Sequence, residues 1–214
     1  MINAGLGTQH FYDQSFINKD QRAGFKKFRV VTVPKGTLLF KMTAGAAAAN
    51  DKGGVTPWWS AVKPFLDDKE GALGRFQQAK SRNMDMSAMV RLMSCVCIDW
   101  NDLDNYVQVE LLDDARIFWG TFAPMPKFSQ ALYTPDWTNS KDTFTGAKVL
   151  DRVKKMKQKE ALAGFKVPDT LGDGEAWQMF IPNLREENIK RSSVLSGHDM
   201  SVLAHALGLV DRPA

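Results

Sequence analysis

The chain has 214 residues, a length that suits one sizeable domain. Hydrophobic residues make up 44% and charged residues 24%, with six Trp and thirteen Phe, so a core is attainable without disulfide staples and intrinsic disorder is excluded for most of the length. A formal charge of +4 favours anionic ligands but is too small to mark a nucleic-acid-binding protein by itself.

In chain order, residues 1–24 are polar, contain glycine and keep no sustained period, and they read as a loosely packed N-terminal arm. Met1-Ile2-Asn3-Ala4-Gly5 has neither a basic region nor an apolar one, so no Sec-type signal is visible. The remaining residues, 25–214, read as a single α+β domain with a strand-rich core and flanking helices. Phe28–Val33 is rich in β-branched residues and stops at Pro34. A turn at Pro34-Lys35-Gly36 leads to a second strand, Thr37–Met42, and the two strands are expected to pair. Residues 43–54 are small and read as a surface loop, followed by the aromatic segment Val55-Thr56-Pro57-Trp58-Trp59-Ser60.

Two helices are expected next, over 67–81 and 84–100. In the second, Met86, Met89, Val90, Met93, Val96, Cys97 and Trp100 follow a helical period and form an inward stripe. Cys95 and Cys97 are the only cysteines; one residue apart, they are unsuited to a mutual disulfide, and nothing completes a zinc site, so buried free thiols are expected. Asn105–Leu112 reads as a strand with Tyr106, Gln108 and Glu110 on one face and Val107, Val109 and Leu111 on the other. After a turn at Asp113-Asp114, Ala115–Gly120 is a further strand. Residues 123–146 read as a long irregular loop, 147–164 as a basic amphipathic helix, Trp177–Pro182 as a last strand and 199–209 as a short helix. No apolar run approaches the ~18 residues that a membrane span needs.

Common catalytic signatures are absent: no Gly-rich dinucleotide fingerprint, phosphate-binding P-loop, zinc-protease helix or hydrolase nucleophile elbow. His10, His198 and His205 are scattered without a triad pattern. What remains is a series of strand-borne segments: Gly36-Thr37-Leu38-Leu39-Phe40-Lys41-Met42-Thr43, then Thr56-Pro57-Trp58-Trp59-Ser60, then Val107–Leu112 with Ala115–Phe118, then Glu175-Ala176-Trp177-Gln178-Met179-Phe180-Ile181-Pro182.

This series resembles the ADP-ribosyltransferase superfamily. Its members carry a first core strand of the form L-Y-R-G or L-Y-H-G, a second opening with an aromatic and Ser/Thr, and a late strand of the form x-E-V-L-I-P. Another of their strands reads V-x-V-x-L-P-x-G-A-R-V, which Val107–Ile117 echoes. The resemblance covers residues 28–185 in pieces and implies an ADP-ribosyltransferase-like α+β fold. It implies NAD as substrate, no metal, and transfer of ADP-ribose to a macromolecular acceptor or to water. Lys41 then stands where the family has Arg or His, with Thr43 beside it, and Ser60 or Thr56 takes the Ser/Thr position. Trp58 or Trp59 would stack on nicotinamide, and Gln178 stands where the family has its catalytic Glu.

Cleaving the nicotinamide–ribose bond develops an oxocarbenium-like cation that a carboxylate stabilises. Gln178 is neutral, so Glu175, three residues earlier, or Glu110 is the carboxylate that folding would have to bring near. The Lys41 and Gln178 departures also suit an alternative: a non-catalytic binding or assembly protein on the same fold, docking an acidic partner through the basic cluster Lys154, Lys155, Lys157 and Lys159. No membrane partner is expected and nucleic acid is the weakest of the partner readings. The compartment implied is cytoplasmic, or one reached by an export route without a Sec signal.

Overall fold

The computed structural model describes residues 1–43, 55–82, 84, 86–98, 100, 101, 103, 105–128, 167–172 and 176–196, with scattered positions between 151 and 161. The strands are β1 (Phe25–Val33), β2 (Leu38–Thr43), β3 (Trp58–Ala61), β4 (Asn105–Leu111), β5 (Ala115–Phe122), β6 (Met125–Pro126), β7 (Thr170–Leu171), β8 (Trp177–Phe180) and β9 (Ile189–Ser196). The helices are α1 (Lys19–Ala23), α2 (Gly71–Ser81) and α3 (Met86–Ser94). Seven strands form one sheet in the order β1-β5-β8-β3-β2-β4-β9, and every pairing in it is antiparallel, giving an α+β architecture. β6 and β7 make a separate two-stranded ribbon.

The chain crosses the sheet in long steps. Pro34 ends β1 and Gly36 turns in the left-handed region at φ 81°, yet β1 and β2 do not pair as expected. β1 pairs with β5, and β2 with β3 and β4. β4 and β5 are likewise consecutive but lie four places apart. Four strand spacings are about 19 Å in a flat sheet. The four residue steps from Leu111 to Ala115 reach at most about 14 Å. The sheet must therefore fold over on itself, with β1, β5, β8 and β3 facing β2, β4 and β9. The enclosed core holds Leu39, Trp59, Val107, Val109, Ile117, Trp119 and Met179, all at most 1% exposed.

At the closed end, the turns satisfy one another: the Gly36 N–H donates to Leu111 O (2.8 Å) and the Lys35 N–H to Asp114 Oδ1 (2.8 Å). The β4 alternation holds in register, but Tyr106 and Gln108 are buried too, because α2 and α3 cover that face.

Three local expectations change. The arm is packed rather than loose: Leu6, Phe11 and Ile17 are buried against Phe25, Phe118 and Phe180. α2 starts at Gly71 rather than near 67, because Gly71 takes φ 59° and Asp68 Oδ1 accepts the Gly71 N–H instead of entering a helix. α3 stops at Ser94, where Cys95 adopts φ 52°, so Val96, Cys97 and Trp100 leave the helical stripe. Strand β9 has no counterpart among the expected elements; its start, Ile189-Lys190-Arg191-Ser192, is too polar to stand out, as suits a sheet edge. Residues Asp151, Val153–Lys155, Lys157 and Gln158 are helical, with Lys155 Nζ 2.6 Å from Asp151 Oδ2. Of the loop expected over 43–54, Thr43 belongs to β2 and the rest lies outside the described residues, as do most of the loop after 128 and the helix over 199–209. No described helix is long and apolar enough to cross a membrane.

Candidate functional site

β2 and β3 share only the register pairs Leu39↔Ala61 and Phe40↔Ser60. Beyond them β2 continues with β4 as far as Thr43↔Asn105, while the start of β3 goes with β8 through Trp58↔Phe180. The two strands part like a fork, and unpaired strands cannot fill the space between them. A cavity of about 700 Å³ opens there, within the ~300–1,000 Å³ usual for small-molecule sites. Its walls come from β2, β3, β8, the end of α3 with the following loop, the end of β5 and α1 of the arm.

Lys41, Thr43, Trp58, Trp59, Ser60 and Gln178 all line this one cavity. Glu175 lies outside the described residues. Alternation along the strands divides the six: Trp58, Ser60 and Gln178 share the outer face of the folded sheet, and Lys41, Thr43 and Trp59 the inner one. The fork lets both faces contribute.

On the outer face, Gln178 is 3% exposed and sits beside Ser60 across the β8–β3 ladder. Its Nε2 donates to Ser60 Oγ (2.9 Å) and to Ser94 Oγ (2.8 Å), tying the sheet to the end of α3. Both amide hydrogens are thereby engaged, and Oε1 has no hydrogen bond among the described residues. Trp58 is half-buried and packs against Phe180 (4.7 Å between ring centroids) and Phe122 (4.8 Å). On the inner face, Trp59 is 1% exposed and Lys41 Nζ stands 4.5 Å from its ring centroid. Lys41 also donates to Thr56 Oγ1. Of the two adjacent tryptophans, Trp58 keeps the exposed surface that a planar ligand would need.

Two buried polar atoms of the lining have no hydrogen-bond partner: Thr43 Oγ1 and Trp59 Nε1. An unmade bond at a buried donor costs about 1–3 kcal/mol, so leaving these atoms unpartnered is a cost to the fold. The described lining carries two charges, Lys41 and Asp20. Glu110 is not part of it; register pairs it with Leu38 and Lys190 toward the closed end, so it does not supply the missing carboxylate. Cys95 is also in the wall, but burial, reinforced by neighbouring Cys97, pushes its thiol up to about 12, which keeps it protonated and poorly nucleophilic. Among the described residues no three His, Cys, Asp or Glu side chains gather as a metal site.

Asp20, Ser94, Trp100 and Asn101 belong to the cavity but not to the site candidates read from sequence, where Trp100 is placed in the inward stripe. The apolar residues Leu6, Phe11, Phe16 and Ile17 were a signal that the arm packs and could carry Asp20 to a site. The serine at the end of α3 had no such signal. No family model matches the chain, and no curated protein or solved structure is significantly similar to it.

Proposed function

We propose that this chain is an ADP-ribosyltransferase-like protein that binds NAD in the fork cavity and splits the nicotinamide–ribose bond, passing ADP-ribose to an acceptor or to water. One observation carries the reading: three of the four segments that resemble the family's motif strands are hydrogen-bonded neighbours, β8-β3-β2, and their six candidate side chains line one cavity. In this reading Lys41 serves the diphosphate as a point charge, without the planar fork of an Arg. Trp58 offers the face for nicotinamide, and Gln178 Oε1 accepts from a ribose hydroxyl. Asp20 is the carboxylate that the described lining offers to the developing cation. An interaction of this kind raises the rate only if it is stronger in the transition state than in the ground state.

The test is chromatography of NAD incubated with the protein, alone and with cell lysate. Nicotinamide release is expected, and it drops at least about tenfold in Lys41→Ala and in Gln178→Ala, since loss of a transition-state contact of roughly 1.4 kcal/mol is tenfold in rate. Wild-type protein that releases no nicotinamide under either condition rules out the enzyme.

A second reading, NAD binding without turnover, is favoured by the engagement of both Gln178 amide hydrogens with Ser60 and Ser94 and by the neutrality of that side chain. A neutral amide does not deprotonate an acceptor. A thermal shift with NAD in the absence of nicotinamide release selects this reading over the first.

A further inference from the structure

Among the described tryptophans Trp100 alone is exposed, at 51%, and it stands on the wall of the fork cavity. Burying such a side chain would remove on the order of 150–250 Å² of largely apolar surface from water, so a stable fold gains nothing by holding it out. Nor is its loop loose. Arg91, 2% exposed, donates to the carbonyls of Cys97 (3.0 Å) and Asn101 (2.6 Å), one on each side of Trp100. The Trp100 N–H donates to Cys97 O (3.1 Å), and the Ile98 N–H to Lys127 O (2.8 Å). Asn101 Oδ1 accepts the Leu103 N–H (2.9 Å). A buried guanidinium is costly unless its donors are used, and here Nη1 and Nη2 fasten the segment that presents one indole to solvent.

We infer that Trp100 is a stacking platform for the adenine base of a nucleotide bound in the cavity. This rests on the NAD reading above and assigns the second half of the dinucleotide to a different wall from Trp58 and Gln178. An aromatic ring on a fastened backbone gives a broad flat contact at small conformational cost, and any base has a π-face to meet it. Asn101, next in sequence, has its Oδ1 engaged and its Nδ2 without a hydrogen bond among the described residues. That leaves a donor for a ring nitrogen of adenine.

Calorimetric titration of AMP, nicotinamide mononucleotide and NAD into the wild-type, Trp100→Ala and Trp100→Phe proteins tests this. Because the side chain is exposed, both variants are expected to fold. Trp100→Ala weakens AMP and NAD by about 5- to 100-fold, the range of one lost base stack. It leaves nicotinamide mononucleotide unchanged, and Trp100→Phe recovers most of the loss. NAD binding that is equal in wild type and Trp100→Ala overturns the platform and leaves the NAD reading standing. AMP binding that depends on Trp100, with NAD neither bound nor split, does the reverse. Absence of binding by all three ligands removes both.

Discussion

The two ends of the folded sheet differ in what surrounds their polar groups. At the closed end the backbone and side-chain donors of the turns find acceptors in one another, as with Gly36 to Leu111 and Lys35 to Asp114. Close by, Asp68 and Arg75 form an ion pair at 2.6 Å with side chains 3% and 1% exposed, and Asp68 also receives the Gly71 N–H. At the fork end, β2 and β3 separate, and Thr43 Oγ1 and Trp59 Nε1 are buried without partners. Arg75 Nε and Nη1 are also buried without partners, so what sets the fork apart is that its unmet atoms border a cavity that a ligand can enter, at some cost to the fold.

Substitutions at each end should break this contrast or sharpen it. The largest effect is expected from Asp68→Ala, which strands the Arg75 charge in the interior and costs about 3–5 kcal/mol. Urea unfolding would measure it, and NAD affinity at temperatures where the variant is folded should not change. At the cavity wall, Cys95 makes stability depend on alkaline pH. Its native thiol is raised from 9.0 to about 12 by burial. Between those values the unfolded chain loses a proton that the native chain keeps. Stability therefore falls as pH rises through that window, by up to about 1.4 kcal/mol per pH unit, and Cys95→Ala should flatten this slope. The smallest effect is the most telling: Thr43→Val removes an unpartnered hydroxyl and should stabilise the protein by about 1 kcal/mol, or roughly 2–4 °C in Tm, while weakening NAD binding. A lower Tm in that variant would mean that the fork is built for stability like the other end.

Local signals were legible where the chain itself carries them. β-Branched runs and Pro34 marked β1, and the alternation of Val107, Val109 and Leu111 marked the buried face of β4. The pairing of these strands was not legible. Pro34-Lys35-Gly36 reads as a hairpin turn, but neighbours in sequence were separated by the fold-over, since burying both inner faces in one core outweighed local pairing. Helix α3 was visible as a Met-rich stripe, whereas its end was not, because it depends on Arg91 reaching the carbonyls of Val96 and Cys97. Of the cavity lining, Lys41, Thr43, Trp58, Trp59, Ser60 and Gln178 were singled out one by one from their motif positions. Asp20, Ser94 and Trp100 were not, because they reach the cavity only through arm and helix packing.

The amino-acid sequence alone determined that this chain mixes helix and strand and which segments are extended. Those properties depend on residue type and short-range spacing. The tertiary structure decided that Lys41 and Gln178 share a cavity, that Glu110 stays away from it, and that the arm supplies a carboxylate. These depend on contacts between residues far apart in the chain, formed when a sheet too wide for its short connections folded over and left β2 and β3 open at one end.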